Sequence, residues 1–101
     1  MVILNTTFAL PVVMKRVFLD WLQSEYAPKA MASGVFSEAM TARVLGGDGT
    51  DNLSIAFQLK ADTLPQAKRW ENDEGSHMLG AMMAKFANRI HFFTTYLEVI
   101  S

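Results

Sequence analysis

Between Val12 and Phe36 the chain reads VVMKRVFLDWLQSEYAPKAMASGVF. At about 100° per residue, Met14, Val17, Phe18, Trp21 and Leu22 fall on one stripe, while Lys15, Arg16, Asp20, Gln23 and Ser24 lie away from its centre. The spacing predicts an amphipathic helix packed on a core. The same phase carries Glu25 to near the middle of the stripe, where an ionised carboxylate is costly to bury unpaired and must meet water or a partner. Pro28 forbids one intrahelical hydrogen bond and disfavours helical geometry at Ala27, so the helix is expected to kink or end there, with Gly34 closing any remaining turn.

The segment before this helix, Val2 to Leu10, is rich in β-branched and aromatic residues and reads as a strand, with Pro11 taking a place in the helix's first turn. Apolar residues on both of its faces, Val2, Leu4 and Phe8 against Ile3 and Ala9, predict a central strand. Ser37 to Leu45 and Asn52 to Lys60 are two further strands, joined through GGDGTD as a hairpin. The second alternates Leu53, Ile55, Phe57 and Leu59 with Ser54, Ala56, Gln58 and Lys60, so one strongly apolar face meets the helices.

Thr63-Leu64-Pro65-Gln66 matches a capping box and predicts a second helix whose buried side carries Leu64, Ala67 and Trp70. ENDEG interrupts the pattern at Glu71 to Gly75, after which Leu79, Met82, Met83 and Phe86 resume it, giving one helix bent or broken near Gly75. Ile90 to Ile100 is the closing strand. The order β-α-β-β-α-β predicts an α+β split βαβ sandwich: a four-stranded antiparallel sheet, first and third strands central, both helices on one face. The other face would carry several of Val2, Leu4, Phe8, Phe92, Phe93, Tyr96 and Leu97, too much apolar surface for a monomer, so a homodimer joined sheet to sheet is expected.

Composition narrows the partners. The 101 residues suit one domain, 1–101, and a net charge of −1 supplies no general field for nucleic acid or an anionic membrane. No apolar run is long enough to span a bilayer, MVILNTTFAL lacks the basic start of a signal peptide, and the absence of cysteine fits a cytoplasmic setting. Two histidines without cysteine do not supply a usual zinc site, GGDGTD lacks the ending of a phosphate loop, and no serine stands in a nucleophile elbow, so neither a metal nor another cofactor is expected.

NTTF at Asn5 to Phe8, FLDWLQSEYAPKAMASG at Phe18 to Gly34, Arg69-Trp70 with Glu74-Gly75, and YLEV at Tyr96 to Val99 together resemble a family of small bacterial domains of unknown function in the dimeric α+β barrel, ferredoxin-like superfamily. That family has no assigned activity. The wider superfamily includes haem-degrading and quinone-forming monooxygenases as well as proteins with no demonstrated catalysis, so fold alone does not assign a reaction.

Four residues stand out as site candidates. Asn5, Trp70 and His77 are similar in type to the Asn, Trp and His of the haem-degrading relatives, in which His binds iron, Asn hydrogen-bonds bound oxygen and Trp ruffles the porphyrin. Here seven residues separate Trp70 from His77, fewer than in those enzymes, and a helix restarted after Gly75 turns His77 to solvent. Haem is therefore not the expected ligand. Glu25, with Tyr26 beside it and Arg43 or Gln58 opposite, is a carboxylate whose surroundings would raise its pKa for acid–base work, against a salt bridge at the open helix end. The expected function is binding or interaction by a homodimer with a cleft for a small apolar or aromatic ligand between helices and sheet. The alternative is a monooxygenase-like enzyme using that cleft.

Overall fold

A computed structural model of the chain describes residues 1–46 and 51–101. Strand β1 (Val2–Pro11) ends at Pro11, whose extended backbone, φ −62° and ψ 141°, turns the chain into the first helix. Pro11 thus precedes the helix and does not enter its first turn. The helix runs as a 3₁₀ turn (Val12–Met14), α1 (Lys15–Trp21), a π turn (Leu22–Tyr26) and α2 (Ala27–Ala32). Strands β2 (Phe36–Arg43) and β3 (Asn52–Ala61) follow, then α3 (Leu64–Trp70), a second π turn (Glu71–Gly75), α4 (Ser76–Lys85) and β4 (His91–Glu98). The sheet order is β2-β3-β1-β4, antiparallel throughout, with β1 and β3 central as expected. Of the loop GGDGTD, Gly46 has the positive φ of 82° that favours glycine, while residues 47–50 lie outside the described residues.

Both helices are continuous. A π turn adds one residue to a helical turn and shifts the phase of everything after it. The buried stripe of the first helix therefore runs Met14, Phe18, Trp21, Leu22, Tyr26, Ala30, and Glu25 is exposed. Energetics favour this phase. Burying a large apolar side chain contributes about 1.5–3 kcal/mol, whereas an unpaired buried carboxylate costs several. The looser turn also relaxes the i to i−4 register that a proline blocks, so Pro28 is held within α2 and does not end the helix. Gly34, at φ 78°, closes the end, its N–H donating to the Met31 carbonyl.

The second helix passes Gly75 without a break, its buried positions being Ala67, Trp70, Gly75, Leu79, Met82 and Phe86. Leu64 and Met83, read from the sequence as buried, are each 37% exposed. At its start the Thr63 hydroxyl accepts from the Gln66 backbone N–H at 3.4 Å and donates to the Gln66 side chain at 3.0 Å. The capping box is thus closed through the hydroxyl instead of the Thr63 backbone.

Register separates the sheet faces. Leu4, Thr6, Phe8 and Leu10 with Leu53, Ile55, Phe57, Leu59 and Ala61 are buried under the helices. Because Phe8 pairs with Phe92 and Leu4 with Tyr96, these two β4 residues also face the helices, as does Val2 opposite Ala61. Of the seven apolar residues weighed for the open face, Phe93 and Leu97 lie on it, joined by Ile3 and Met40.

Candidate functional site

The π turn of the second helix opens with Glu71, half-buried and directed at the edge strand β4. The Tyr96 hydroxyl donates to Glu71 Oε1, tying helix to sheet. Tyr26, the residue that the first π turn rotates inward, lies in the same layer: its ring is 5.3 Å from that of Phe57 and 5.9 Å from that of Trp70. Burial pushes the Tyr26 hydroxyl well above its ordinary 10.0, and the Glu71 charge adds to the shift. Tyr96 is raised too, first by burial, then by its hydrogen bond to Glu71 and the charge there. Both phenols therefore remain donors at neutral pH. Lys68 Nζ stands 5.8 Å from the Tyr96 ring centre, close enough for a cation–π contact.

Beside this pair is a groove of about 410 Å³ lined by Glu71, Asn72, Ser76, Leu79, Gly80, Met83 and Phe92. Gly80 leaves open space on its helix face, with no atom within 4 Å of where a Cβ would stand. Leu79 and Met83 from the helix and Phe92 from β4 supply an apolar lining, and Glu71, Asn72 and Ser76 add a carboxylate, an amide and a hydroxyl. Such a combination holds a small molecule by its body and orients it by a polar group.

The four residues singled out in the sequence do not meet here. Asn5 is on the open sheet face, where Gln58 Nε2 donates to its Oδ1 at 3.2 Å and its Nδ2 donates to Thr95 at 3.2 Å and Thr7 at 3.3 Å. Trp70 is buried under the helices, on the other side of the sheet. Its ring meets Phe36 edge-on at 5.0 Å, and its Nε1–H donates to Glu74 Oε2 at 3.0 Å. His77 is exposed. Asn5, Trp70 and His77 thus do not converge on one cavity within the chain.

Glu25, expected near the centre of the apolar stripe, is exposed because the π turn puts Tyr26 there instead. It borders an outer groove of about 500 Å³ between the helices with Val17, Asp20, Ser24 and Lys85. Its expected partner Gln58 is on the opposite face of the sheet, bonded to Asn5. Arg43 is exposed, and among the described residues the one ion pair is Lys60 with Glu38 at 3.5 Å.

Sequence reasoning missed Glu71 and Tyr96. ENDEG reads as a helix interruption, which hides that its first acid remains helical, and the face of Tyr96 follows only from the β1–β4 register. The available signal was the acid directly after Trp70 on the buried side of the helix. Among the described residues no group of three or more His, Asp or Glu is placed to hold a metal ion, and no helix is long and apolar enough to cross a membrane.

Solved structures share this architecture. The chain is similar to an ethyl tert-butyl ether d (EthD) family protein from Bacillus halodurans C-125, with TM-score 0.69 and 17% identity over 99% of this chain and 100% of that one. It is also similar to two dimeric ferredoxin-like proteins from an uncultured marine organism. One has TM-score 0.66 and 13% identity over 100% of this chain and 96% of that one. The other has TM-score 0.60 and 18% identity over 99% and 97%. At these identities the likeness establishes the ferredoxin-like fold. No curated protein matches the chain. A family model described as Domain of unknown function (DUF4286) matches residues 1–100, in agreement with the resemblance carried by the NTTF, FLDWLQSEYAPKAMASG and YLEV segments.

Proposed function

Since the chain belongs to this family of unknown function, DUF4286, we propose a role drawn from its surfaces. Residues 1–101 act as one domain that pairs with a second copy through the open sheet face. Each subunit holds a small apolar or aromatic molecule in the groove beside Glu71, in a binding or interaction role. The lack of cysteine suits a reducing cytoplasm as its place of work.

The open sheet face carries the proposal. Phe93 is 60% exposed, Met40 62% and Leu97 42%, around a centre in which Asn5 bridges β1, β3 and β4 through Gln58 and Thr95. Both helices cover the opposite face, so within one chain this apolar surface faces water. A concavity of about 590 Å³ on the same side, lined by Ile3, Met40, Gln58 and Lys60 among others, gives it relief into which side chains can pack. A two-fold pairing buries the patch on both copies at once, because each patch is its own complement. That two similar proteins are dimeric supports a homodimer.

Light scattering during size exclusion tests it. The expected mass is about twice the 11.3 kDa of the chain. A monomer at micromolar concentration overturns the pairing.

A further inference from the structure

We infer that the groove beside Glu71 takes a small molecule without negative charge that has a ring-sized apolar body and one hydroxyl or N–H donor, the donor meeting Glu71 Oε2. This deepens the ligand part of the proposed function and rests on it. Tyr96 occupies Oε1, while among the described residues no group donates to Oε2. One oxygen of a positioned carboxylate is therefore left as an acceptor at the rim of a groove.

Three features fix the class. Tyr96 reaches Glu71 from β4 and Glu71 is held in a π turn, so the carboxylate is oriented before a ligand arrives and little freedom is lost on binding. The rest of the lining includes Leu79 and Met83, further along the same helix, and Phe92 from β4, itself backed by Phe8 at 6.2 Å, which suits a flat apolar body. The charge has the wrong sign for carboxylates and phosphates: Glu71 is the one ionisable side chain lining the groove, and it is acidic. A phenol-like or indole-like molecule satisfies all three. A hydrocarbon leaves Oε2 unused, and an organic acid is repelled.

The test uses fluorine NMR of the full chain with 4-fluorophenol, 4-fluorotoluene and 4-fluorobenzoate as probes. A hydrogen bond to a charged acceptor predicts that the phenol binds about tenfold more tightly than the toluene, with the benzoate weakest. In Glu71→Leu the preference for phenol over toluene disappears. Glu71→Gln keeps a neutral acceptor and gives an intermediate preference, and it decides the matter alone if the leucine variant fails to fold. Equal wild-type affinities for phenol and toluene overturn the donor class but leave the groove as a binding site. Binding by none of the probes overturns both. A phenol preference unchanged in Glu71→Gln and Glu71→Leu, or a benzoate that binds best, also overturns the assignment.

Discussion

The indole of Trp70 lies against Gly75, five residues further along the same helix: a Cβ on that glycine would stand 3.0 Å from indole Cζ3 and 3.3 Å from Cε3. The π turn between them makes the contact. In an α-helix the residues stacked on Trp70 would be Asp73 and Glu74, three and four positions on. The added residue brings Gly75 under the ring and leaves Glu74 where it can accept from Nε1. A glycine that reads as a breaker is thus a point of close approach inside a continuous helix.

Gly75→Ala is expected to destabilise the protein. In an ordinary helix interior the change stabilises by about 1 kcal/mol. Here the indole packs on both Tyr26 and Phe36, contacts that resist its displacement, and overpacking such a ring costs about 1–3 kcal/mol. Urea unfolding monitored by tryptophan fluorescence measures the balance, and a more stable variant would show that Trp70 has room to shift.

Much of the fold is legible in residues whose periodicity is unambiguous. Leu53, Ile55, Phe57 and Leu59 alternate cleanly, and each is buried. Thr63 and Gln66 mark the second helix start to the residue. Phase past Trp21 and Trp70 is not legible, because a strict period of 3.6 carries no signal for an inserted residue. The insertion in the first helix exchanges Glu25 for Tyr26 in the core, and ENDEG, read as an interruption, hides Glu71 in the second. Nor does β4 declare its faces: Phe92 and Phe93 are adjacent and both aromatic, so only pairing with β1 decides that Phe92 and Tyr96 turn inward. The candidate site was missed for these two reasons together.

Glu25→Gln is expected to change stability by no more than about 0.5 kcal/mol, as for an exposed group outside any ion pair. Tyr26→Ala, one position along, removes a ring packed on Trp21, Phe57 and Trp70 and should cost about 3–5 kcal/mol. Comparable losses for the two variants in denaturant unfolding would contradict the phase set by the π turn.

Phe93→Asp is expected to convert the proposed dimer into a folded monomer. The residue is 60% exposed in the single chain, so its replacement leaves the subunit core intact, while two-fold pairing brings a carboxylate from each copy into an apolar contact. Sedimentation velocity reads the mass and far-ultraviolet circular dichroism the fold. A variant that remains dimeric would place the interface elsewhere.

The chain has two tyrosines, and both are held protonated, by burial first and then by Glu71. Their folded pKa values lie above the ordinary 10.0, so above that pH the folded state binds more protons than the unfolded one and stability falls as pH rises. Below pH 10.0 the contribution is fully present. For the well-buried Tyr26 the limiting slope is about 1.4 kcal/mol per pH unit; the more exposed Tyr96 adds less because solvent screens it. Two measurements follow. In the folded protein the tyrosinate absorbance band should remain absent to about pH 11, where free tyrosine is mostly ionised, and it should appear together with loss of structure. Unfolding midpoints in urea should be flat from pH 8 to about 9.5 and then decline, with Tyr26→Phe removing most of the decline. Ionisation of both tyrosines near pH 10.0 in a protein that keeps its structure would mean that neither ring is enclosed beside Glu71.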